Sequence, residues 1–226
     1  MSDPTRESRK QRMSVMLPLC EITATPAESR NDSTARDRLT IMNHFGTVQL
    51  ETERLILRRY TIGDAECIFR NWAQSEAVTK YLTWEPHRDI EDLEGYIQYC
   101  IDEYQKPDSY NWVIEHKEIG ELIGSISVIW IREDIAACEV GYCMSERFWG
   151  KGIMPEALAE VIRFLFEEVG MNRIQATHDV RNPKSGRVME KCGMLYEGTM
   201  RQAGRNNLGI CDSVMRAVLR EDYIKG

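Results

Sequence analysis

The sequence predicts an α/β chain of the α+β kind, a mixed sheet of about seven strands carrying four main helices. Three observations support this. Apolar strands at Cys138–Met144 and Arg173–His178 are separated by a helical stretch, and strands joined by a helical crossover run parallel. On either side, apolar runs are joined by short polar turns containing Gly120 or Gly209, the mark of antiparallel hairpins. Between the parallel strands, Ser145–Ile153 makes a glycine-bearing turn into a helix with Pro155 in its first turn, where a missing N–H costs nothing.

Met1 to Gly46 mixes Ser, Thr, Pro and both charge signs without a sustained period, so it is expected to be disordered, leaving 47–226 as the folded domain. Its apolar patch, Val15–Cys20, is broken by Pro18 and too short for a secretory core. Met42 directly precedes the patterned region, so residues 1–41 read either as an extension or as the product of an upstream start. Leu50–Tyr60 alternates as a first strand, with Leu55 and Leu57 on one face. Thr61–Asp64 leads into a first helix burying Ala65, Ile68, Phe69 and Trp72, and Asp89 opens a second with Ile90, Leu93, Tyr96, Ile97, Ile101 and Tyr104 as its stripe. Tyr110–Glu115 and Leu122–Trp130 form a hairpin, and Arg132–Asp134 turns into the strand at Cys138. The third helix runs from about Pro155 to Val169, where Gly170 stops it. After the strand at Arg173, Asn182 caps a short fourth helix with Pro183 at its first position and Gly193 at its end. Met194–Arg201 and Ile210–Leu219 close the domain as a hairpin.

At 226 residues the chain fills one core beside a tail. A net charge of −7 and a pI near 5.3 argue against a general nucleic-acid or anionic-membrane surface, and mildly favour a cationic partner. No stretch reaches the ~18 apolar residues of a membrane span. Seven cysteines without a C-x-x-C pair suggest reduced thiols and a cytoplasmic address. His44, His87, His116 and His178 show no ligand spacing with Cys or carboxylates, so no metal is expected. Cys138 and Cys143 fall on opposite faces of their strand and read as packing rather than as acyl carriers.

The turn after Met144 has the chemistry of an anion site. Gly150 and Gly152 take backbone angles that side chains resist, aligning successive N–H groups on one oxyanion, and the following helix adds its free amides and dipole. Arg147 and Lys151 supply cations. Pro155 stands where a dinucleotide fingerprint needs Gly, and no Gly-Lys-Ser/Thr run is present, so two other phosphate loops are excluded.

The run Arg147-Phe148-Trp149-Gly150-Lys151-Gly152, preceded by Glu139-Val140-Gly141-Tyr142, resembles the acyl-CoA pyrophosphate loop of the GNAT N-acetyltransferases, in particular their RimJ/RimL-like branch. Glu51–Arg58 and Asn182–Met194 match in the same order, and the resemblance covers about Leu50 to Tyr223. It implies a strongly twisted sheet whose central strands splay at the cofactor, acetyl-CoA as co-substrate, and direct acetyl transfer to a primary amine in a ternary complex. The amine belongs to a protein N-terminus or to a small molecule, and the enzyme is a monomer or homodimer. By the same resemblance, Val140, Tyr142 and Met144 offer main-chain groups to the pantetheine arm, and Gly150, Lys151, Gly152 and Ile153, with Arg147 alongside, hold the diphosphate. Asn182 reaches the cofactor from across the splay, and Trp72, Tyr81 and Trp84 wall the acceptor cleft.

Glu139, on the strand bordering the thioester, is the candidate base; Met189 stands where many GNAT enzymes carry a proton-donating tyrosine, and the resemblance makes Ser185 the candidate acid, because the RimJ/RimL-like branch places a serine there. His178 is a lesser candidate for either role. Each assignment has a structural alternative: for Glu139 a carboxylate on an open strand edge or a partner to Arg, for Ser185 a local hydrogen bond, and for Asn182 a helix cap. The absent tyrosine leaves open a non-catalytic acyl-CoA sensor.

Overall fold

The computed structural model describes residues 42–225. The strands are β1 (Leu50–Glu51), β2 (Leu55–Arg58), β3 (Asn111–His116), β4 (Glu121–Arg132), β5 (Ala137–Met144), β6 (Arg173–Asp179), β7 (Leu195–Asn206) and β8 (Gly209–Leu219). The helices are α1 (Ala65–Ile68), α2 (Glu76–Thr79), α3 (Ile90–Glu103), α4 (Ile153–Phe164), α5 (Pro183–Lys191) and α6 (Arg220–Lys225). One eight-stranded sheet has the order β1-β2-β3-β4-β5-β6-β8-β7. All neighbours are antiparallel except β5 and β6, which are joined by the helical crossover α4 and run parallel as expected.

The expected first strand is two strands. Thr52 N–H donates to the Leu55 carbonyl at 3.0 Å and Leu55 N–H returns a bond to Thr52 Oγ1, folding Glu51–Leu55 into a tight turn and pairing Leu50 with Leu57. Leu55 and Leu57 share a fully buried face. Residues 42–46, placed before the expected domain start, also pack on the domain: Asn43 N–H donates to the Val169 carbonyl at 2.9 Å and Gly46 N–H to the Pro107 carbonyl at 2.7 Å. Residues 1–41, with the Val15–Cys20 patch, lie outside the described residues.

The core divides across the sheet. One cluster packs α4, which buries Ala157, Leu158, Val161 and Ile162, against Trp112, Ile114 and Val140. The other packs α1, α2 and α3 against Val113 and Leu122. Each fully buried large side chain contributes about 1.5–3 kcal/mol. Asp89 caps α3 by accepting from Asp92 N–H at 2.8 Å, but the buried stripe is Leu93, Ile97 and Cys100, while Tyr96 is exposed on the cleft side.

The feature that positions the site is an interrupted pairing. β5 and β6 are in register at Ala137↔Arg173, Cys138↔Ile174 and Glu139↔Gln175. Beyond Glu139, β5 stays paired with β4 to Met144 and β6 with β8 to Asp179, while among the described residues their facing edges find no further partner.

Candidate active site

At the end of β5 the chain makes a tight turn over Glu146–Phe148, and Trp149 folds back to donate its Nε1–H to the Met144 carbonyl at 2.8 Å. Gly150 and Gly152 follow with φ of +77° and +74°, the left-handed angles expected of them, and α4 begins at Ile153. The first amides of a helix have no partner within it, so the amides at Gly152 and Ile153 remain available to an anion. The turn is braced from β1–β2. Glu156 accepts from Thr52 Oγ1 at 2.5 Å, Arg54 N–H at 3.0 Å and Arg54 Nε at 2.6 Å, and Arg54 Nη1 donates to the Lys151 carbonyl at 3.2 Å. Thr52 and Arg54, matched by sequence only as part of a motif, thus clamp the glycine turn to the start of α4.

Arg147 departs from expectation. Its guanidinium turns away to Glu121 at 3.0 Å, a carboxylate that also receives Asn71, and Lys151 lies 5.3 Å over the Phe148 ring. The cavity instead meets the cations Lys184, Arg187 and Lys191 of α5, with Lys184 Nζ 5.2 Å over the Trp149 ring. Their i, i+3, i+7 spacing is readable as a stripe on one helix face, a signal that a motif match does not use.

A cavity of about 1580 Å³ runs through the sheet where β5 and β6 part. Val140, Tyr142 and Met144 border it on one edge, Gly150, Gly152 and Ile153 at the turn, and Asn182 and Ser185 across the gap. Glu139 sits at the last paired position. Its Oε2 accepts from Trp130 Nε1 at 3.2 Å and Gln175 Nε2 at 3.0 Å, and its Oε1 from Thr177 Oγ1 at 3.1 Å. The alternative in which Arg holds Glu139 is not what the geometry shows; neutral donors do.

Successive strand residues point to opposite faces. Glu139 and Cys143 therefore lie on the α1–α3 side, while Val140 and Tyr142 lie on the α4–α5 side. Cys138 and Cys143 fall in opposite clusters, as the spacing requires. Tyr142 reaches across the gap to α5, its hydroxyl 3.0 Å from both Ser185 Oγ and the Ser185 carbonyl, and burial pushes its phenol far above the usual value. Asn182 is a cap as well as a cavity residue, its Oδ1 accepting from Ser185 N–H at 3.4 Å. Met189 is buried, and a phenol that borders this part of the cavity is that of Tyr142 on the facing strand. His178 lies against α5, where a Cβ at Gly186 would stand 2.5 Å from its Nε2, and its Nδ1 is 2.9 Å from the Asp179 carbonyl oxygen.

On the other side of the sheet Trp72, Tyr81 and Trp84 line the cavity, and Tyr81 donates across it to the Arg181 carbonyl at 3.0 Å. Trp84, His87, Tyr96 and Tyr60 continue the wall, each ring 5.6–6.5 Å from the next. Asn207, at the tip of β7–β8, holds this wall by donating to the Thr79 and Trp84 carbonyls at 2.9 and 2.8 Å. Asp179 fixes the free end of β6, bonding Arg181 Nη2 at 2.6 Å and Asn206 Nδ2 at 2.7 Å; the Arg181 guanidinium holds its carboxyl well below the usual range. Among the described residues no three His, Cys, Asp or Glu side chains gather as metal ligands, and no helix is long and apolar enough to cross a membrane.

This arrangement has relatives. Residues 54–195 match the Acetyltransferase (GNAT) domain family. The chain is 35% identical over 153 residues to the Uncharacterized N-acetyltransferase YoaA of Bacillus subtilis, covering 68% of this chain and 86% of that protein. It is 28% identical to the [ribosomal protein uS5]-alanine N-acetyltransferase of Escherichia coli, over 79% of this chain and 94% of that one. In fold it is similar to RimL, a ribosomal L7/L12 alpha-N-protein acetyltransferase solved in complex with coenzyme A, with a TM-score of 0.69, 23% identity, and coverage of 76% and 98% of the two chains. A parallel pair parted beside a braced glycine turn, in a sequence matched over most of its folded length, has one reading: the chain belongs to the GNAT family of N-acetyltransferases.

Proposed function

We propose that this enzyme transfers the acetyl group of acetyl-CoA directly to an α-amine at a protein N-terminus, with both substrates bound together. The observation that carries the reading is the parting of β5 from β6 just beyond Glu139, within one cavity that opens on both faces of the sheet. The co-substrate's diphosphate suits the turn at Gly150–Ile153 and the cations of α5, and its thioester supplies the activated acyl carbon. Main-chain groups of Val140 and Tyr142, left free by the parting, suit the amides of the pantetheine arm, whereas the Met144 carbonyl is already taken by Trp149.

The acceptor amine must be neutral to attack. An α-amine with a pKa near 8 is about one-tenth neutral at pH 7, whereas a lysine near 10.4 is almost fully charged, so a weak base suffices for the former. Glu139, on the α1–α3 face, takes that proton directly or through a water. As the new C–N bond forms and the C–S bond breaks, negative charge collects on sulfur, and the Ser185 hydroxyl on the opposite face donates to it. When Tyr142 donates to Ser185 Oγ, the serine hydrogen is free to point into the gap. Relatives that act on ribosomal protein N-termini support the α-amine as acceptor. A cytoplasmic setting follows from such an acceptor.

The test is thiol release from acetyl-CoA by purified protein with N-terminal peptides. Release that falls on Glu139→Gln and Ser185→Ala supports the assignments, and release indifferent to both removes them.

A further inference from the structure

The whole chain is acidic, but its cavity is not. Among the described residues lining it, the carboxylates are Glu139, which the mechanism above assigns to the reacting amine, and Asp179, which Arg181 and Asn206 already hold. Lys80, 5.4 Å over the Tyr81 ring, and Arg205 also line the cavity and add positive charge, with no lining carboxylate left over for a second ammonium once Asp179 is paired with Arg181 and Glu139 serves the reacting amine. The rest of the acceptor wall is uncharged and largely aromatic, with Trp72 buried and the rings of Trp84, His87, Tyr96 and Tyr60 in sequence beside the hydroxyls of Thr83, Ser125 and Ser127. A ligand with a second ammonium close to the reacting one would leave water for a site that offers it no free carboxylate and two like charges.

From this charge inventory, and resting on the transferase reading above, we infer that the acceptor is an amine flanked by apolar or aromatic side chains and carrying no second positive charge nearby. That class takes in chain starts such as Ala-Phe and leaves out polyamines, aminoglycosides and lysine-rich starts. It also reverses, at the site, what the net charge of −7 suggests for the surface as a whole.

The experiment compares kcat/KM for the peptides Ala-Phe-Ala and Ala-Lys-Lys and for spermidine, using the full chain and the Lys80→Glu/Arg205→Glu variant, whose two positions are exposed and open to substitution without disturbing the core. Wild type should favour Ala-Phe-Ala over both cationic acceptors by about tenfold or more, and the double charge reversal should shrink that ratio several-fold. Equal or faster turnover of Ala-Lys-Lys or spermidine by wild type overturns the inference and leaves the transferase standing. An unchanged ratio in the variant overturns the part assigned to Lys80 and Arg205. Thiol release with none of the three, from protein that binds coenzyme A, removes the transferase reading and the inference together.

Discussion

On the α4 side of the parted strands the cavity is lined largely by main chain: the positive-φ turn at Gly150 and Gly152, the first amides of α4, and the free edge of β5. On the α1–α3 side it is lined by side chains drawn from Tyr60, Trp72, Trp84 and Tyr96, residues spread over separate helices, a loop and a strand end. In the proposed reading the main-chain cradle recognises what every acyl-CoA shares and tolerates little change in backbone angle. A side-chain wall recognises what differs between acceptors and is free to vary. Glu139 and Ser185 sit where the two meet, one on each face.

The sharpest way to break this division is at the meeting point. Glu139→Gln keeps the shape and most of the hydrogen bonds but removes the proposed base, so kcat for an α-amine peptide should fall about 10²–10⁴-fold with acetyl-CoA affinity nearly unchanged. A parallel loss of affinity in calorimetry would mean that Glu139 is structural. Ser185→Ala should lower kcat by about 10²-fold, and Tyr142→Phe by about fivefold through loss of one orienting hydrogen bond. If Tyr142 acts only through Ser185, the double variant will be no slower than Ser185→Ala alone. Additive losses would give Tyr142 a contact of its own with the reacting atoms.

The same division explains what is legible in the sequence. The crossover, the hairpins, the glycine turn and the caps at Asp89 and Asn182 are local patterns, and the structure carries them where the spacing puts them. Arg147 escapes such a reading because a motif fixes a Cα and not a rotamer: Glu121, 26 positions away, competes for its guanidinium. The Tyr142–Ser185 contact, 43 positions apart, and the Asn207 tie to Trp84, 123 apart, exist only once the sheet is assembled. The splitting of the first strand depends on Thr52, whose hydroxyl serves both its own turn and Glu156.

The main-chain half predicts smaller effects of a different kind. Gly152→Val forces a branched side chain onto φ +74°, at a local cost of about 1–3 kcal/mol, so KM for acetyl-CoA should rise about tenfold while KM for the peptide stays put. A matched rise in both would erase the distinction between the halves. At the free end of β6, Asp179 is held in its ionised form mainly by Arg181, aided by Asn206. A carboxyl lowered in the folded state stabilises it fully above the unfolded value of about 3.9, and that contribution is lost as pH falls through this value toward the folded one. Wild-type Tm should therefore drop more steeply than that of Asp179→Asn between pH 6 and pH 3, with the variant already less stable at pH 7 by about 1–3 kcal/mol.

The smallest effect is expected at the residue that looks most reactive. Cys143 lines the cavity on the acceptor face, its Sγ 3.3 Å from Ser125 Oγ, and a thiol there invites a route in which the acetyl group passes through sulfur. Burial pushes that thiol up to about 11, so at pH 7 only about one molecule in 10⁴ carries the thiolate that such a route needs. Cys143→Ala should therefore keep kcat within about twofold, and mass spectrometry of protein quenched during turnover should find no acetyl group on the peptide carrying Cys143. An acetylated Cys143 that disappears on adding the amine would replace direct transfer with a two-step route and would move the decisive chemistry off the seam onto the acceptor wall.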